Sequence, residues 1–194
     1  MLRNKLNTSS PAELAREEER ISKKKALGLF TDGTLDDLAP GTVKALKVIH
    51  EYLFCDIYDF AGKIRTENIA KGNFRFAPVM YLEAALENIE KMPQNTFDEI
   101  VEKYVEMNIA HPFMEGNGRA TRIWLDQLLK ARIGKCVDWQ QIDKKDYLYA
   151  MEKSPFDATV IKELLKSAMT SKTDDREIFM KGIDYSYYYE TVED

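Results

Sequence analysis

Cysteine is scarce in this 194-residue chain, where Cys55 and Cys136 stand alone without CxxC spacing. That excludes a disulfide framework and a cysteine-built zinc site, so both thiols are expected to be buried or idle. Histidine is equally sparse: His50 has no second histidine or cysteine at ligand spacing and is expected to be a satisfied core residue. No apolar run approaches the roughly 20 residues that span a bilayer, and the opening MLRNKLNTSSPAELAREEER is too polar for a secretory signal. A soluble, cytoplasmic protein without a membrane partner is therefore expected. A net positive charge is also lacking. A net charge of -5 leaves no electrostatic footprint for nucleic acid. Repeats, low-complexity tracts and Pro/Gly/Ser linkers are absent as well, and 44% hydrophobic residues suffice for one core, so a single domain over 1–194 is expected.

What the chain does have is helical periodicity. Ser10-Pro11-Ala12-Glu13 has the form of a capping box with proline at the first helical position, predicting a helix toward Phe30 that stops by Gly33. In VKALKVIHEYLF, Val43, Leu46, Ile49 and Leu53 form a core-facing stripe. Two short segments around Lys71, Gly72 and Asn73, with Phe74, Arg75 and Phe76 alternating, predict a hairpin. Pro78 opens a further helix, and Thr96 to Glu99 is a second capping box for a helix that Pro112 ends near His111. Another helix starts around Asn117 or Gly118 and runs to Gly134. Asp143 and Asp157 can cap two more, and Thr173 with Asp174 and Asp175 a last one toward Glu190. The fold class is all-α, a helical bundle with one small β-hairpin. Trp124 and Trp139 are expected to be packing, and the acidic Glu17-Glu18-Glu19 near Lys23-Lys24-Lys25 a solvated helix face.

The densest chemistry lies in HPFMEGNGRATR, His111 to Arg122. Gly116-Asn117-Gly118 falls between a helix that proline ends and a new one, where glycines let backbone N–H groups turn inward as an anion nest at a positive helix end. Arg119 and Arg122 share a helix face and can fork onto phosphate oxygens. Glu115 could serve such a ligand only through a bridging magnesium ion, and His111 is the candidate general base.

The order His-Pro-Phe-x-Glu-Gly-Asn-Gly-Arg-x-x-Arg resembles the full signature of Fic-domain proteins, which transfer AMP from ATP to a hydroxyl of a target protein. IHEYLFCDIYDFAGKIR, NIAKGNFRFAP and KYVEMNIAHPF are similar to that family's core and flap, so the likeness runs from about Gly41 to Glu190, with a catalytic core over about 41–170. It implies that His111 deprotonates the incoming Ser, Thr or Tyr hydroxyl and that Glu115 holds Mg2+. Gly116, Asn117 and Gly118 would grip the inner phosphates, Arg119 the outer ones and Arg122 the γ-phosphate. Phe113 would anchor the loop, and the flap from Lys71 to Phe76 would pair with an extended stretch of target. Related bacterial enzymes modify topoisomerase subunits and often self-associate, which extends to this chain by resemblance alone.

In the last helix, over about 173–190, Phe179, Ile183, Ser186 and Glu190 share one face. The tail is similar to the inhibitory motif S-x-x-x-E-G/N of one Fic class, in which the glutamate pairs with the second arginine of the signature. Ser186 and Glu190 match; Thr191 departs from the expected Gly or Asn. Tyr185, Tyr187, Tyr188 and Tyr189 cluster there, either as packing or as hydroxyls the enzyme modifies on itself. The alternatives are an enzyme that uses Glu190 to remove AMP, alone or alongside its transfer, and a nucleotide-sensing module without turnover.

Overall fold

A computed structural model describes residues 2–71 and 74–190; Gly72, Asn73 and Thr191 lie outside the described residues. The elements that frame the site are α1 (Pro11–Thr31), α2 (Thr34–Asp37), α3 (Val43–Phe54), α4 (Val79–Lys91), α5 (Phe97–Ala110), α6 (Asn117–Ile133), α7 (Lys144–Lys153), α8 (Thr159–Ser167) and α9 (Arg176–Glu190). No helix among the described residues is long and apolar enough to cross a membrane.

Helix α6 is central because it is buried on nearly every side, its polar Asn117, Arg119, Arg122 and Gln127 included. Ile123 and Trp124 belong to one core cluster with Leu29, Leu46, Ile49, Leu53 and Phe113. Leu125, Leu128 and Leu129 belong to a second with Tyr104, Trp139, Tyr147 and Leu165. Helix α9 crosses from one cluster to the other, giving Ile183 to the first and Tyr189 to the second. Its start is pinned to α1 by Phe179 on Phe30, ring centroids 4.8 Å apart.

The two capping boxes differ. Thr96 and Glu99 form both reciprocal bonds. Ser10 accepts from the Glu13 N–H, but the Glu13 carboxylate takes the Thr8 hydroxyl and the Ser10 N–H turns to Thr8 as well. A sequence pattern fixes the first bond, whereas a nearer hydroxyl diverts the second.

The hairpin forms with β1 (Ala70–Lys71) and β2 (Phe74–Arg75) antiparallel, Lys71 opposite Phe74. A second ladder was not expected: β3 (Cys136–Val137) pairs with β4 (Met169–Thr170). Two residues are too few for a period-2 signal, and this ladder is held from outside, since the Val137 N–H donates to Asp126 of α6 at 2.8 Å.

Thr96→Ala removes one half of the intact box and leaves the Glu99 N–H without its acceptor. It is expected to lower stability by about 1 kcal/mol in urea unfolding, without change in the denaturant dependence.

Candidate active site

The site is built at the junction of α5 and α6. Helix α5 ends at His111, whose backbone is left-handed, φ 47° and ψ 64°. Pro112 disfavours the right-handed helical region there, and the next turn points away from α5. A non-glycine residue in this conformation is strained by on the order of 1 kcal/mol, so something must hold it.

Arg65 does. Its Nε donates to the His111 carbonyl at 2.8 Å and its Nη2 to the Ala110 carbonyl at 3.1 Å, while its N–H reaches the Pro112 carbonyl at 2.8 Å. The same guanidinium donates to the carbonyls of Glu67 and Ala77 on either side of the flap. Among the described residues its side chain meets carbonyls only, the negative end of α5 included. One buried side chain thus ties the His111 turn to both roots of the hairpin.

The imidazole of His111 is half-buried and stacks on Phe76, centroids 3.6 Å apart and planes 14° from parallel. Its Nδ1 faces the Asn108 carbonyl at 3.3 Å. A carbonyl can only accept, so Nδ1 carries the proton and Nε2 keeps its lone pair. Burial pulls its pKa down to about 4, leaving a neutral base at neutral pH.

The following loop is rigid. Asn117 accepts from the Phe113 N–H at 2.8 Å and donates to the Phe113 carbonyl at 2.7 Å, closing the turn on itself. Phe113 is fully buried and stacks on His50, centroids 3.8 Å apart. His50 Nδ1 accepts from the Gly62 N–H, so its Nε2 carries the proton and donates to the Glu115 carbonyl at 2.8 Å. This is the satisfied core histidine expected, and its two bonds also brace the loop. Gly116 begins α6 with φ 75°, and a Cβ there would strike the Phe54 ring. Among the described residues no side chain caps α6, so its first N–H groups face the nest without an intrahelical partner.

Anions already crowd this nest. Glu190 Oε1 accepts from Arg122 Nη2 at 3.0 Å, and its Oε2 lies 3.2 Å from Arg119 Nη2. A Cβ on Gly118 would collide with the Glu190 carboxylate, which therefore lies directly over the start of α6. Burial opposes its charge, yet Arg119, Arg122 and the more distant Lys71 of the flap outweigh that and hold its carboxyl below the usual glutamate value. Arg122 also donates Nε to the Ser186 hydroxyl at 2.7 Å and Nη1 to Tyr147 at 3.0 Å, beneath the Tyr189 ring. Ser186 and Glu190 are thus brought to Arg122 by one face of α9. Tyr189 and Tyr187 have their hydroxyls engaged inside, on the Trp139 and Ile142 carbonyls and on Ser22 respectively, so packing accounts for those two.

Arg119 is buried between the Phe54 and Tyr187 rings. Its Nη2 meets Glu115 at 2.8 Å, and its Nη1 pairs with Glu18 of α1. Glu18 corrects an expectation: it is 6% exposed, not part of a solvated face. The signal was present, because Leu14, Glu18, Ser22, Ala26 and Leu29 follow one buried stripe of α1. Arg65 and Tyr147 carried no comparable signal.

Magnesium fits the donor set modestly. Glu115 is half-exposed at the nest mouth, and its contacts among the described residues use Oε1. A single carboxylate completed by phosphate oxygens and water suits this ion, and no group of three acidic, histidine or cysteine residues placed to hold a metal ion exists among the described residues.

Residues 40–129 match the Fic/DOC family. The chain is 30% identical over 145 residues to the protein adenylyltransferase VbhT of Bartonella schoenbuchensis, covering 69% of this chain and 30% of that protein. It is 27% identical to the probable protein adenylyltransferase Fic of Escherichia coli, with 91% of each covered. Among solved structures, the BepC protein of Bartonella tribocorum with bound AMPPNP superposes with a TM-score of 0.74 at 22% identity, over 88% of this chain and 92% of that one. An ADP-bound Fic domain from Bartonella quintana gives 0.71 at 20% identity, over 93% and 94%.

His111 has a folded pKa near 4 against 6.5 unfolded, so the unfolded chain binds its proton first as pH falls. Its contribution to stability is complete above about pH 6.5 and lost toward pH 4. Asp126, raised to about 7 by burial, acts in the opposite sense, so a difference isolates the histidine. Urea unfolding of wild type and His111→Asn, a residue that tolerates left-handed backbone, is expected to differ by on the order of 1–2 kcal/mol more at pH 6.5 than at pH 4, discounted for partial exposure.

Proposed function

We propose, from the premise that this chain belongs to the Fic/DOC family, that it transfers AMP from ATP to a Ser, Thr or Tyr hydroxyl of a target protein and is held off by its own α9. The observation that carries this reading is the Glu190 carboxylate bridging Arg119 and Arg122 above the uncapped start of α6, with the free Nε2 of His111 at the same junction.

In the reaction the α- and β-phosphates lie on the N–H groups from Gly116 to Arg119, where the helix end favours negative charge. His111 Nε2 accepts the hydroxyl proton as the hydroxyl oxygen attacks the α-phosphorus. The bond from that phosphorus to the bridging oxygen of the β-phosphate breaks, and pyrophosphate leaves. Arg119 and Arg122 offset the charge gathering on the leaving group. Glu115 is the residue that would hold magnesium, whose charge relieves the repulsion between carboxylate and phosphates. The Phe76 stack fixes the plane of the imidazole, and the flap beside it offers backbone groups for an extended target segment.

Glu190 blocks this by geometry and charge together. Its oxygens take the N–H groups a γ-phosphate would use, and a carboxylate beside a phosphate repels it. Since both oxygens are held by guanidinium groups and its carboxyl is more acidic than usual, it is a poor base for activating water, which favours inhibition over AMP removal.

Glu190→Gly is expected to raise incorporation of labelled AMP into lysate proteins by about tenfold or more. His111→Ala should lower it by at least about a hundredfold in either background. No gain from Glu190→Gly in protein that binds ATP would refute the inhibitory role. Loss of AMP from a modified target that needs Glu190 would favour the reverse reaction.

A further inference from the structure

Glu18 lies 101 residues from Arg119, on a helix outside the span matching the family, yet it is the innermost partner of that phosphate-site arginine. It is buried on α1, and its two oxygens are divided. One receives Arg119 Nη1, the other the Tyr58 hydroxyl. Tyr187 of α9 also reaches the first oxygen, at 3.4 Å.

The division of N–H groups on Arg119 matters most. Nη2 serves Glu115 and Glu190, on the nest side, whereas Nη1 serves Glu18 alone among its described ion pairs. Release of Glu190 therefore takes one of two carboxylates off Nη2, leaving Glu115 at 2.8 Å, and does not touch the Nη1 contact. Glu18 does not compete for the group that a phosphate would take. A guanidinium is a planar fork, so fixing one arm fixes the direction of the other. The Phe54 and Tyr187 rings on its faces constrain the plane, but a ring cannot set rotation within that plane. The carboxylate can.

We propose that Glu18 is a positioning residue for the nucleotide: it anchors Nη1 of Arg119 so that Nη2 stays aimed at the outer phosphates once α9 lets go. This rests on the reading of the nest as an ATP site. Helix α1 is then part of the nucleotide site and not only of the scaffold. Burial raises the Glu18 carboxyl above its ordinary value, outweighing the pull of Arg119 and the Tyr58 hydroxyl toward the charged form.

The test is a nucleotide ladder in the Glu190→Gly background, with AMP, ADP and ATP binding measured by calorimetry in magnesium. Glu18→Ala is expected to weaken ADP and ATP by about tenfold and leave AMP, which lacks outer phosphates, within about twofold. Glu18→Gln keeps the shape and an acceptor oxygen, guards against misfolding, and should fall between. Equal weakening of all three nucleotides would mean a merely structural role, and unchanged or tighter ATP would mean that Glu18 does not aim Arg119; either overturns the proposal. If Glu190→Gly alone binds no nucleotide, the functional reading itself fails and takes this one with it.

Discussion

Two guanidinium groups buried three residues apart at the start of one helix are the constraint around which this molecule is arranged. Arg119 and Arg122 are each about 5% exposed, and a buried cation is tolerated only if anions, dipoles or aromatic faces replace the water it has lost. The positive end of α6 adds to the same local charge. Three carboxylates from three separate places in the chain, Glu18, Glu115 and Glu190, converge on this point. A polyphosphate would be a fourth anion at the same point, and on the proposed function it and the Glu190 carboxylate would exclude one another there.

The base is made ready by a separate set of contacts. A strained turn, a carbonyl on Nδ1 and a ring stacked on its face leave His111 one orientation and one tautomer. Arg65 stabilises that turn and the hairpin roots together, so one side chain sets the distance between His111 and the hairpin. His50 and Asn117 do the same for the nest. Rigidity of this kind lowers reorganisation when charge develops. On the proposed inhibition, Glu190 is then the group that must move for a nucleotide to seat.

Much of this was legible in the sequence because it rests on local rules. Proline after His111, glycines flanking Asn117 and arginines three apart fix a turn, a nest and a shared face within twelve residues. The α9 face carrying Ser186 and Glu190 followed from helical spacing. What was not legible depends on tertiary proximity. Arg65 lies in a segment without periodicity, and nothing local marks a guanidinium that will meet four carbonyls. The β3–β4 ladder is too short for a pattern. Glu18 was misread because a run of charges suggests solvent, although its place on the α1 stripe with Leu14 and Ala26 pointed inward.

The central claim is that Glu190 and the outer phosphates of ATP compete for the same guanidinium arms. Crystals of wild type and of Glu190→Gly, each grown with a non-hydrolysable ATP analogue and magnesium, address it directly. The account predicts a γ-phosphate hydrogen-bonded to Arg122 and an α-phosphorus open to a hydroxyl beside His111 Nε2 in the variant, and a displaced triphosphate in wild type. The same phosphate placement in both, with Glu190 still on Arg119 and Arg122, would contradict it.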